Sequence, residues 1–166
     1  MESLNMKDIL KQASQNHKKV ALVVDGPIYY VVLNKPPHNS IDADFITDYN
    51  LVLDTIEAKI KENVGKQQIM VTIGNGSKCF SSGFDLKFWG ATPANFFQTV
   101  LPAQNLFARI LTFPIPNMCA INGHCIAAGV FLALAHEYRT MVDDTKFKIQ
   151  LNELQNGIPL PWGCGQ

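Results

Sequence analysis

The chain has 166 residues, of which 47% are hydrophobic and 17% charged, with 14 Lys+Arg balanced by 14 Asp+Glu. That length suits one domain with a buried core, and the apolar fraction excludes a mostly disordered chain. A formal net charge of zero leaves no basic excess to neutralise phosphates, so nucleic-acid binding is not expected.

In chain order, residues 1–18 are polar and read as a tail or one loose helix, ahead of a single domain over 19–166. The stretch has no apolar signal core, and the chain carries no arginine before Arg109, which argues against a secretory signal and a mitochondrial presequence. Lys19 to Val24 and Ile28 to Asn34 are β-rich runs around Asp25-Gly26-Pro27, a hairpin signal. Phe45, Tyr49, Val52, Ile56 and Ile60 then recur at helical spacing, with Ser40 or Asp42 able to cap the start. Gln68 to Ile73 is a short buried strand. Thr92-Pro93 opens a second long helix, with Pro102 expected to kink it and Pro114 and Pro116 ending it.

Asn117 to Ile121 reads as another buried strand, Asn122-Gly123 as a turn, and Ala127 to His136 as an apolar helix. The longest apolar run, Ile126 to Ala135, is too short to span a bilayer. Tyr138 to Val142 and Phe147 to Leu151 read as strands. Strands alternating with helices build an α/β sheet with right-handed crossovers. The four cysteines, Cys79, Cys119, Cys125 and Cys164, form no CxxC pair and have no histidine at zinc spacing, so reduced thiols in an intracellular protein are expected. The closing WGCGQ is no peroxisomal tripeptide.

Two strand-to-helix junctions could carry chemistry. One is KCFSSGFDLK, Lys78 to Lys87, where small residues let backbone approach a ligand and Asp85 can cap a helix. The other is AINGHCIAAG, Ala120 to Gly129. Glycine at such a junction is more often turn geometry than a site. Two converging sets of N–H donors would form an oxyanion hole. No GxGxxG, GxxxxGK[ST] or GxSxG motif is present, so dinucleotide, triphosphate and serine-nucleophile chemistry have no support. Glu153 lies among Leu151, Leu154 and Ile158. Carboxyl groups in apolar surroundings suit general-base work, although a capping or surface role is the plainer reading of the pattern alone.

Four ordered blocks change the reading: LNKPPHNSI (Leu33 to Ile41), FSSGFDL (Phe80 to Leu86), AINGHCIAAGVFLALAHEYRTM (Ala120 to Met141) and LNELQNGIPLP (Leu151 to Pro161). Through them the chain resembles the crotonase (enoyl-CoA hydratase/isomerase) superfamily, and within it the Δ3,Δ2-enoyl-CoA isomerases. The resemblance implies a crotonase-like spiral of ββα units without the usual C-terminal helices. It implies an acyl-CoA thioester as substrate and no other cofactor or metal. By position, the oxyanion-hole donors are the backbone N–H groups of Phe84 and Ala128, and the base is Glu153. The CoA-binding set is Ser82, Gly83, Phe84, Asp85, Leu86 and Asn152, with Pro37 and His38 on the opposite wall.

The family's hydratases resemble one another in having a first glutamate where this chain has Phe131, so isomerisation rather than hydration is implied. The alternative is a non-catalytic crotonase-like subunit of a larger assembly. Family members usually continue into helices that cover the acyl pocket. Apolar surface near Phe131, Leu132, Ile158 and Trp162 is therefore expected to be bare, and to be covered by a homo-oligomer or a protein assembly. The resemblance implies a mitochondrial or peroxisomal location, without a clear targeting signal.

Overall fold

The computed structural model describes residues 4–76, 78–153, 155 and 157. Its first element is a packed helix. Asn5 caps α1 (Met6–Ser14) by accepting the Asp8 N–H at 3.0 Å through its side chain. The hairpin follows as β1 (Val20–Asp25) and β2 (Ile28–Leu33), antiparallel around Gly26. Ile9 and Ala13 are buried with Ala21, Val23 and Val32, so α1 covers one face of the sheet and is not loose. One apolar pair four residues apart is too short a pattern to read as periodicity. Asn34 Nδ2 ends the helix region, donating to the carbonyls of Ala13, Asn16 and Lys18.

Alternation puts Val20, Tyr29, Val31 and Leu33 on the other face, into the main core. There they meet α2 (Ala43–Glu62), which buries Phe45, Tyr49, Val52 and Ile56. Its cap is Asp42, whose Oδ1 accepts the Phe45 N–H at 2.9 Å.

Beyond α2 the chain winds in repeats that give one strand to each of two sheets. The first repeat is β3 (Ile69–Gly74), β4 (Cys79–Ser81), α3 (Leu86–Ala91) and α4 (Pro93–Leu111). The second is β5 (Asn117–Ile121), β6 (His124–Ile126) and α5 (Ala128–Leu134), and β7 (Tyr138–Met141) and β8 (Ile149–Gln150) follow. The larger sheet has the order β1-β2-β3-β5-β7, parallel from β2 onward, and the smaller is β4-β6-β8. This is the expected spiral. The three strands of the smaller sheet are the elements the sequence reading missed or overextended.

Thr92 caps α4 and Pro93 fills its first turn, as predicted, and the helix continues through Pro102. Arg109 ties it to α2, with Nη2 at 2.6 Å from Asp54 and 2.9 Å from Glu57.

Leu132 corrects one expectation: it is fully buried, because it lies on the core face of α5. Phe131 is half-buried, and Ile158 and Trp162 lie outside the described residues. Exposed apolar side chains lie on α5 at Leu134, on α3 and α4 at Leu86, Phe97 and Leu101, and on β7 and beyond at Tyr138, Met141, Val142, Ile149 and Leu151. Cys79, Cys119 and Cys125 are free and buried. Burial pushes the Cys79 thiol up to about 11 and Cys125 up to about 12, which makes them unreactive. Cys164 lies outside the described residues. No described helix is long and apolar enough to cross a membrane.

Candidate functional site

The site begins where the loop after β2 is sewn to the loop after β4. Asn39 is buried at φ 47°, a conformation asparagine tolerates. Its Nδ2 donates to the Cys79 carbonyl at 3.0 Å, while its own carbonyl accepts from Ser81 Oγ at 2.9 Å. Ser82 N–H donates to the His38 carbonyl. Ile41 then forms a parallel bridge to Phe84, donating to the Gly83 carbonyl at 2.8 Å and accepting from Asp85 N–H at 2.9 Å. These bonds use the groups on either side of Phe84. Among the described residues, no protein acceptor is assigned to the Phe84 N–H.

The second junction comes up against the first because two positions lack a Cβ. Gly83 has φ 84°, and a Cβ there would meet the Ala128 nitrogen at 2.8 Å. A Cβ on Gly129 would meet the Ser81 carbonyl oxygen at 2.7 Å. Ala127 between them has φ 51° and ψ −126°, a conformation that is costly for any residue with a Cβ and that concentrates at functional sites. Ala128 opens α5, so its N–H has no partner inside the helix.

The third contributor is held by β8. Cys125 N–H donates to the Lys148 carbonyl, and Ala127 N–H to the Gln150 carbonyl at 2.8 Å. The chain then runs directly into Asn152 and Glu153. Glu153 is 8% exposed, and its Oε2 is buried without a hydrogen-bond partner among the described residues.

These segments enclose a cavity of about 460 Å³. Its wall brings together His38, Ser82, Phe84, Asp85, Leu86, Ala128, Asn152 and Glu153, together with Phe131. Gly83, which is buried, and Pro37, which is exposed in the cis Pro36-Pro37 turn, are not among the lining residues. Ser40, Lys87, Trp89 and Ala127 also line it, and none of them has a site role by sequence pattern or resemblance. The signal for Trp89 was local: it lies in the first turns after the Asp85 cap, beside Phe84. Its ring stacks on that of Phe84 at 4.6 Å and meets Phe96 edge-on at 4.8 Å.

Asp85 is ion-paired at the rim of this wall. The Lys35 ammonium, 2.8 Å from its Oδ2, pulls its carboxyl down to about 2 against partial burial. Asp85 Oδ1 meanwhile accepts the N–H groups of Lys87 and Phe88 and caps α3. A hollow with two backbone donors on adjoining segments and one unpartnered carboxylate oxygen can hold an anionic oxygen and move a proton.

Comparisons with known proteins show the family. The family model described as enoyl-CoA hydratase/isomerase matches residues 24–165. The chain is 32% identical over 152 residues to the mitochondrial enoyl-CoA delta isomerase 1 of Mus musculus, covering 88% of this chain and 50% of that protein. It is 31% identical over 143 residues to the peroxisomal enoyl-CoA delta isomerase 2 of Arabidopsis thaliana, covering 82% of this chain and 57% of that one. The crystal structure of human mitochondrial delta3-delta2-enoyl-CoA isomerase superposes with a TM-score of 0.76 at 28% identity, covering 87% of this chain and 55% of that one. The chain thus spans about half the length of the curated relatives it matches.

Proposed function

Because the chain belongs to the enoyl-CoA hydratase/isomerase family, we propose that it moves the double bond of a 3-enoyl-CoA to the trans-2 position. Glu153 takes a proton from C2, and the C2–H electron pair forms a C1=C2 bond as the carbonyl pair moves onto the thioester oxygen, leaving a dienolate that still holds C3=C4. The N–H groups of Phe84 and Ala128 hold that dienolate oxygen. Glu153 then returns the proton to C4 as the C3=C4 bond becomes C2=C3. The shift is redox-neutral, and one carboxyl group suffices for both transfers.

The observation that carries this reading is the buried Oε2 of Glu153, without a partner among the described residues, on the same cavity as Phe84 and Ala128. Phe131 on that cavity supports isomerisation over hydration, since a phenyl ring cannot position water. The pantetheine runs along Ser82 to Leu86, past His38. The compartments named for the relatives suggest a place in mitochondrial or peroxisomal fatty-acid oxidation. Incubating the chain with a 3-enoyl-CoA and following the ultraviolet absorbance of the conjugated 2-enoyl thioester tests the reading. Absence of that chromophore, with CoA binding retained, would refute it.

A second reading is supported by β7. All four of its residues are exposed, with Tyr138 57% exposed, and among the described residues β7 is the edge strand of the larger sheet. Such an edge is a template for association. In this reading the protein is a non-catalytic subunit of an assembly, or a homo-oligomer whose interface uses this edge. Fixed-ratio co-purification without turnover would favour the non-catalytic subunit.

A further inference from the structure

We propose that Lys35 is a positioning residue for the oxyanion hole, holding the Phe84 peptide by clamping Asp85 to Asp42. The inference rests on the isomerase reading and adds a residue remote from the reacting atoms. Lys35 follows β2, and its Nζ lies 2.6 Å from Asp42 Oδ2 and 2.8 Å from Asp85 Oδ2. These two carboxylates are the N-caps of α2 and α3. One ammonium therefore ties together the starts of two helices, and the Phe84 peptide lies directly before one of them.

Asp85 is held from three sides. Lys35 Nζ and Ser40 Oγ donate to its Oδ2, and its own N–H donates to the Ile41 carbonyl. Gly83 is fixed by the opposite bond to Ile41. The Phe84 peptide is thus suspended between two anchors, and Lys35 supplies the ionic part of one of them. Without Lys35, Asp42 keeps Lys19 at 2.8 Å, so α2 stays capped and paired. Asp85 is partly exposed and can be solvated, so the loss falls on the geometry of the loop more than on stability. Displacement of a donor by about 1 Å can cost about 10²-fold in rate.

The test uses three proteins: the wild-type chain, Lys35→Met and Lys35→Arg. Each is titrated with a saturated acyl-CoA and with the S-alkyl-CoA thioether of equal length, which lacks the carbonyl oxygen. Wild type should favour the thioester about tenfold, the factor that 1.4 kcal/mol of hydrogen bonding confers. Lys35→Met should reduce that preference to about twofold or less, with thioether affinity unchanged. Its kcat should fall about 10–100-fold with KM changed less than about threefold. Lys35→Arg should restore most of both.

If Lys35→Met does not fold, Asp85→Asn decides, because asparagine keeps the cap of α3 while losing the charge. Full thioester preference in the folded variant, even with a lowered unfolding temperature, would overturn the role of Lys35 and leave the isomerase reading intact. A wild-type chain that isomerises nothing and binds thioester and thioether equally would overturn that reading and the inference with it.

Discussion

A methyl group on Gly83 would stand 2.8 Å from the backbone nitrogen of Ala128. The two junctions are in contact through the absence of one carbon, and the next obstacles, Ala127 Cβ at 2.9 Å and the Ile126 carbonyl at 3.0 Å, leave no way round. Gly83→Ala also has to adopt φ 84°. The substitution should cost roughly 2–4 kcal/mol and spread the two donors apart. Urea unfolding together with the isomerase assay checks both parts. An alanine variant of wild-type stability and rate would show that the junctions can separate without harm.

Replacing Glu153 by glutamine removes the proposed base without changing its size. Isomerisation should fall by about 10²–10⁴-fold. Stability should not fall, since a buried oxygen without a partner gains nothing from its charge. Steady-state rates and the unfolding midpoint of the variant measure the two effects separately.

Hydration of a 2-enoyl-CoA should be negligible beside isomerisation, because Phe131 on the cavity wall offers water no hydrogen bond. Phe131→Glu should not create it, since an unpaired carboxylate in that half-buried place is destabilising and holds its proton. Chromatographic separation of the 3-hydroxyacyl product from the isomer distinguishes the reactions. Comparable rates for the two in the wild-type chain would reverse the assignment.

Acid should weaken the fold through His136. Its Nε2 is 2.8 Å from Thr72 Oγ1, which is also 2.8 Å from the Tyr49 hydroxyl, and its Nδ1 is 2.9 Å from the Leu132 carbonyl. A carbonyl only accepts, so Nδ1 carries the proton and Nε2 accepts from Thr72. Burial depresses the imidazole to about 4, against the hydrogen bond to Leu132 that favours the charged form. The unfolded chain, titrating at 6.5, binds the extra proton first. The contribution is therefore complete above pH 6.5 and is lost as pH falls toward 4, about 3 kcal/mol in all. Urea unfolding across that range should show the loss, and His136→Gln should flatten it.

The parts of this fold legible in the sequence are those with long periodic patterns. The Phe45–Ile56 stripe of α2, the hairpin and the caps at Asp42, Asp85 and Thr92 are local signals. β4 and β6 are three residues long, too short for alternation to register, and β8 is two residues inside the longer run Phe147 to Leu151, so the second sheet was legible only in that one strand. Glu153 was ambiguous by pattern and was singled out only through the four family blocks. The clamp of Lys35 on Asp85 joins residues fifty positions apart, and no local rule pairs them. Pro37 was placed on the wall by resemblance, and in the structure it is exposed and not among the residues lining the cavity.

The parallel winding of the two sheets has a kinetic consequence. β2, β3, β5 and β7 pair only across intervening segments, and the hollow needs contributions from His38 through to Glu153. Each such closure loses chain entropy before it gains contacts, which slows folding relative to a bundle built from neighbours. A ribosome releasing this chain presents the open edge of β3 before β5 has been made. Synthesis faster than docking therefore leaves bare strand edges, and misassembly at elevated temperature should set the yield of active protein.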